Sequence, residues 1–151
     1  MRINPLTFAT VLGALLVAHN VGDHICQTDH QAWCKARPED GAENQPSGAE
    51  QAKAMAGHIA TYQAAQAVAL AVVLPASGLR PSWRGLVAGS LFSAATHAFL
   101  DRRWPVRWIL RHTRSPKFAD LQTPINGPYQ ADQALHHGCL FVSALLIASR
   151  A

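Results

Sequence analysis

The chain has 151 residues, enough for one domain with a real hydrophobic core. Charged residues make up only 15% of it, against a usual share of about 25%, and 49% is hydrophobic. That deficit is what a bilayer imposes, and three cysteines (Cys26, Cys34 and Cys139) are an odd count that makes no disulfide framework.

The first apolar run, Leu6 to Ala18, is interrupted only by Thr7, Thr10 and Gly13 and predicts a helix over about 6–26. A cleaved signal peptide is the rival reading, but Arg2 is its only basic lead residue and no A-x-A site follows cleanly. Where the run gives out stand His19 and Asp23, one helical turn apart and on one face. The residues from Asp29 to Gln51 are polar, and Pro38 to Gly48 hold turn formers and acids with almost nothing to bury, so 36–50 is expected to be a mobile loop.

A second helix is expected over about 55–74, with His58, Thr61, Tyr62, Gln63 and Gln66 in its first half and an apolar second half. The third, over about 85–101, carries Gly89, Ser90, Ser93, Ala94 and Ala95, small residues that allow close helix contact. It ends on His97 and Asp101. From Arg102 to Arg111 bulky apolar and cationic residues alternate, which predicts an interfacial segment lying on lipid headgroups. A proline-rich loop follows, and the fourth helix, about 131–149, opens on Asp132 and His136.

The expectation is an all-α fold, a four-helix transmembrane bundle forming a single membrane-embedded domain over 1–151, with a soluble helical bundle as the alternative. Six of the 13 basic residues lie between Arg102 and Lys117, interleaved with Trp104 and Trp108. That pattern favours membrane lipids over nucleic acid as partners of a chain with net charge +4. A homo-oligomer stays open.

Three His/Asp pairs at one-turn spacing exceed the roughly 0.6 expected if such residues were scattered at random on helical spacing. Threading the chain up and down brings His19, Asp23, His58, His97, Asp101, Asp132 and His136 to one end of the bundle. The loops on that side hold nine Lys and Arg and the other side four. The positive-inside rule then puts the polar site at the cytoplasmic face of the inner membrane, with both termini outside.

Imidazoles and carboxylates suit one or two divalent ions such as Zn²⁺, Mn²⁺ or Fe²⁺. The expected ligands are His19, Asp23, His97, Asp101, Asp132 and His136, with His58 as a further ligand or a catalytic general base. Gln27, Asp29 and Gln133 are candidates to orient the ligands. Arg102, Arg103 and Arg107 are candidates to hold an anionic headgroup.

Metal-dependent hydrolysis at the membrane surface is the leading reading. Two others stay open. The pairs could be hydrogen-bonded latches of a structural or partner-binding protein, or mark an ion or proton path. A zinc knuckle of His24, Cys26, His30 and Cys34 has no spacing of the usual paired-cysteine kind.

These residues resemble a family of small bacterial and phage integral membrane proteins known only as a domain of unknown function (DUF3307). The resemblance rests on His19-x-x-x-Asp23-x-x-x-Gln27-Thr28-Asp29 with Lys35 following, His58, His97-Ala98-Phe99-Leu100-Asp101, and Asp132-Gln133-Ala134-Leu135-His136. It implies an integral membrane protein with a shared polar site and carries no activity with it. The His-x-x-x-Asp helices alone bear a weaker likeness to predicted membrane-bound metal-dependent hydrolases. The long Pro38 to Gly48 insert and the Arg102-Arg103 step depart from the family pattern.

Overall fold

Each long helix begins where a side chain can accept the first free backbone N–H groups. Asn4 accepts from the Thr7 amide at 3.1 Å and starts α1, Pro5–His24, with Pro5 in the first turn. Thr28 and Gln31 form a reciprocal capping box that starts the short α2, Asp29–Cys34. Ser47 and Glu50 do the same for α3, Gly48–Ala76. Ser82 caps α4, Trp83–Leu100. After α5, Trp104–Arg111, and a 3₁₀ turn at Pro116–Asp120, Asn126 caps α6, Gly127–Ala148. The computed structural model describes residues 2–36, 45–114 and 116–150.

The chain is all-helical apart from a two-residue antiparallel bridge that pairs β1, Arg2–Ile3, with β2, Ser149–Arg150. Three helices, α1, α3 and α6, are long and apolar enough to cross a membrane. The expected count was four. The 18-residue α4 falls short because it carries Arg84, Ser90, Ser93, Thr96 and His97. Two of these, Ser93 and His97, are buried and serve the interior.

Two boundaries also differ from expectation. α2 forms in the polar stretch before the expected loop, where no helix was expected, and α3 begins at Gly48 rather than near residue 55. The polar first turns of α3 start from the Ser47 and Glu50 capping box, and α3 packs on α2. Of the loop expected at 36–50, residues 37–44 lie outside the described residues.

The apolar core lies at the end of the bundle away from the polar pairs. Val11, Leu15, Leu70, Leu74, Leu140, Ala144 and Ile147 from α1, α3 and α6 make it. A smaller cluster of Leu100, Val106, Leu110 and Ala119 seats α5. Outward-facing apolar side chains are plentiful on the long helices, including Val17, Val68, Val72, Val87, Leu91 and Phe141. A water-soluble bundle keeps such residues few and scattered.

α4 meets α6 through small residues. A Cβ on Gly89 would stand 2.8 Å from the Ser143 carbonyl oxygen, which belongs to backbone and cannot swing away. Gly89→Ala is therefore expected to cost about 1–3 kcal/mol by overpacking. A thermal or denaturant unfolding comparison in detergent checks this, and an unchanged midpoint would show that the two helices separate freely.

Candidate metal centre

The last turn of α1 presents Asp23, the third turn of α3 presents His58, and the end of α4 presents His97 with Asp101 as its C-cap. All four are buried. Their ligand-type atoms lie within 4.8 Å of one another. His58 Nε2 is 3.0 Å from both Asp23 Oδ1 and Asp101 Oδ2. His97 Nε2 is 3.2 Å from the same two oxygens. The two Nε2 atoms are 2.9 Å apart.

Each of the two Nε2 atoms thus has three close partners, more than one imidazole N–H can serve. An imidazole N–H points at one acceptor, and Asp23 Oδ1 and Asp101 Oδ2 accept no hydrogen bond of regular direction. The four atoms also gather within 4.8 Å of one another. A tetrahedral ion with ligands at about 2.0–2.1 Å separates those ligands by about 3.3–3.4 Å, within a few tenths of an ångström of the contacts seen. The donor set of two imidazoles and two carboxylates suits a borderline divalent ion.

Lys35, the C-cap of α2, is the member that sequence reading did not place at the centre. Its side chain is buried, with Nζ 2.9 Å from Asp101 Oδ2, 3.8 Å from Asp23 Oδ1 and 3.3 Å from His58 Nε2.

The other expected ligands form a layer beside the centre rather than part of it. His136 faces Asp132 through Nδ1, 2.9 Å from its carbonyl oxygen and 3.4 Å from Oδ2. The His136 ring stacks on His19 and meets His97 edge-on, with centroids 5.1 and 4.5 Å apart. His19 Nε2 lies 3.1 Å from Gln133 Oε1, and Gln133 in turn donates to Asp132 at 3.4 Å. One four-residue group forms among the described residues, and His19, Asp132 and His136 do not build a second. His24, Cys26, His30 and Cys34 do not gather either; Cys34 Sγ only approaches His30 Nδ1 at 3.7 Å.

A closed ring of hydrogen bonds lies one turn deeper. Gln66 Nε2 donates to the Tyr62 hydroxyl at 2.7 Å, Tyr62 pairs with Ser93 Oγ at 3.1 Å, and Ser93 donates back to Gln66 Oε1 at 3.1 Å. The Tyr62 ring stacks on His97 at 3.8 Å. Tyr62→Phe is expected to keep that stack and strand two buried partners, costing about 1–3 kcal/mol. Unfolding should shift while metal content stays at the wild-type value; loss of the ion would make the ring part of the centre.

A pocket of about 420 Å³ reaches the centre from outside, with Asp23, Lys35 and Asp101 at its floor and Arg103, Arg107 and Gln133 among its walls. Gln27 lines it too, and Gln27 Oε1 is buried without a partner. Asp29 stands apart, exposed in the first turn of α2, where its charge suits the helix N-terminus. Arg102 is likewise absent from the walls and turns its Nη1 to within 3.5 Å of the Lys35 carbonyl. His24 and Tyr129 close one side, with His24 Nε2 2.7 Å from the tyrosine hydroxyl.

Neither a protein-family model, nor a curated protein, nor a solved structure matches this chain. The geometry of the site alone carries the functional reading.

Proposed function

We propose that the protein is an inner-membrane, metal-dependent hydrolase whose centre of Asp23, His58, His97 and Asp101 works at the cytoplasmic surface. The observation that carries this reading is the buried grouping of two imidazole nitrogens and two carboxylate oxygens within 4.8 Å of one another. A divalent ion held there supplies Lewis acidity to a substrate oxygen and acidifies water. The chain's own residues do the rest. His136 and Asp132 buttress His97 from one side and Tyr62 packs it from the other. Gln27 and Gln133 offer polar atoms to a ligand at the pocket wall.

Membrane placement rests on three apolar helices and their outward-facing side chains. We read α4 as a fourth span despite its polar face. Exposed Trp83 and Trp104 flank it, and its 18 residues make a helix of about 27 Å, close to the thickness of a bilayer core. α5 then lies in the interface, with Trp104 and Trp108 outward and Val106 and Leu110 inward. The lysine and arginine distribution, nine on the site's side against four, supports a cytoplasmic site with both termini outside.

The test is hydrolysis by the purified protein in lipid, offered phosphomonoester, phosphodiester, carboxyl ester and peptide substrates. Turnover should vanish on chelation, return with the divalent ion, and stay absent in Asp23→Asn. Turnover indifferent to both chelation and Asp23→Asn, or none of any substrate by the metal-loaded protein, would overturn the reading.

One observation favours a second reading, a structural latch: Lys35 at 2.9 Å from Asp101 supplies a fixed cation to the same carboxylates. A latch of that kind gains no stability from added metal, whereas a metal centre does.

A further inference from the structure

The elements that wall the pocket also carry large apolar side chains that the fold leaves outside. α2 contributes Ala32 to the wall, and Trp33 beside it is 52% exposed. α5 follows the lining residue Arg103, and its Trp104 and Trp108 are 59% and 57% exposed. Ile25 and Ile125, next in sequence to the lining residues His24 and Asn126, are exposed as well. Three of the four tryptophans in the chain thus stand outward at the site's end. Rings of this size left in water forgo a large apolar burial, whereas the headgroup level of a bilayer is where tryptophan settles.

Two contacts hold α2 and the start of α5 together beside the pocket. Arg103 Nη2 donates to the Ala32 carbonyl at 3.0 Å, and Arg102 Nη1 reaches the Lys35 carbonyl at 3.5 Å. Arg103 has a φ of 64°, a left-handed conformation that costs a non-glycine residue stability, so the clasp is held against strain. Trp104 and Trp108 lie one turn apart on one face of α5. Phe99, exposed near the end of α4, meets Trp104 edge-on at 5.6 Å and carries the outward apolar surface of α4 onto α5. That continuity favours a bilayer over a soluble partner as what covers this collar.

Inside the collar the pocket is polar. At about 420 Å³ it stands near the small end of ligand pockets, which run from about 300 to 1,000 Å³. It has room for a polar head and leaves acyl chains outside. Arg103, Gln122 and Asn126 offer N–H donors that match phosphate and ester oxygens, and Asp23 and Asp101 of the metal centre form the floor. We propose that the pocket takes the head of a membrane glycerophospholipid, which enters from the bilayer across a collar made by α2 and α5. The proposal rests on the membrane placement and gives the hydrolase reading its substrate class.

Lipid binding is measured by thermal unfolding in maltoside micelles, once with Zn²⁺ and once with chelator. The probes are dihexanoyl phosphatidylglycerol, dihexanoyl phosphatidylcholine and the water-soluble head glycerophosphoglycerol. A lipid that occupies the pocket, at a hundred times its Kd, should raise the midpoint by about 5–10 °C. The deacylated head at the same concentration should not. Ala32→Leu puts a larger side chain into the wall and should lose the shift. No shift with either lipid in either condition, an equal shift with glycerophosphoglycerol, or a shift that survives Ala32→Leu overturns the proposal. Lipid shifts without any effect of Zn²⁺ overturn the metal centre alone.

A second measurement needs no pocket variant. In liposomes of phosphatidylcholine and phosphatidylglycerol, the fluorescence difference between wild type and Trp33→Phe reports Trp33. That signal should be quenched by a phospholipid brominated on its acyl chains and shielded from aqueous iodide. Trp33 open to iodide and untouched by the bromolipid would put α2 in water, on a surface for a soluble partner, and overturn the proposal.

Discussion

Asp101→Asn is expected to destabilise the protein by about 3–5 kcal/mol, the cost of breaking a buried ion pair from one side. The carboxylate removed is the nearest partner of Lys35, at 2.9 Å, and contacts His58 and His97 at 3.0 and 3.2 Å. The amide keeps the shape and removes the charge. Most of the cost is the buried ammonium left behind, with Asp23 3.8 Å away as its remaining acid. Adding Lys35→Met should therefore return a large part of the loss. The double variant should be more stable than Asp101→Asn alone, a reversal that only direct coupling produces. Denaturant or thermal unfolding of the four proteins completes the cycle. Additive losses would mean that Lys35 and Asp101 do not interact.

The second large effect is a gain. A ligand that binds only the folded state, present at a thousand times its Kd, stabilises by about 4 kcal/mol. For a chain of this size each kcal/mol moves the midpoint by about 2–4 °C. The wild-type protein with saturating divalent ion should thus melt on the order of 10 °C higher than with chelator. The His58→Ala, His97→Ala variant should melt at one temperature in both. A latch behaves differently: the same variant is weaker than wild type, and metal changes neither protein. An unchanged wild-type midpoint under saturating ion would decide for the latch.

Much of the centre is legible in the sequence because one-turn spacing reads which residues share a helix face. His97 and Asp101 are found that way, Asp23 through His19, and His58 by its place near the start of an apolar helix. Spacing does not read how far each helix is rotated about its own axis. All three pairs keep their one-turn contact, at 3.8, 3.2 and 3.4 Å, but only His97 and Asp101 both stand in the centre. His19 Nε2 sits beside the centre, closer to Gln133 Oε1 than to Asp23 Oδ2, and the Asp132–His136 pair forms a buttress.

Lys35 is placed at the floor by α2, a six-residue helix that looks like polar loop from its composition. Its signal was the Thr28-x-x-Gln31 capping box, and Ser47-x-x-Glu50 marked the early start of α3 in the same way. The apolar runs of α1, α3 and α6 mark these helices directly as long and apolar enough to cross a membrane. In α4 the demands of a buried polar site dilute that pattern with Ser93 and His97.

The central claim is that Asp23, His58, His97 and Asp101 hold a metal ion, and metal content measured by mass spectrometry tests it most directly. The protein should be purified without a polyhistidine tag in mild detergent, reconstituted with Zn²⁺, Mn²⁺ or Fe²⁺ and freed of excess ion, beside the His58→Ala, His97→Ala variant. One equivalent in the wild type and none in the variant is the result the geometry predicts. No bound metal in the wild type after all three reconstitutions, or equal metal in both proteins, would contradict it.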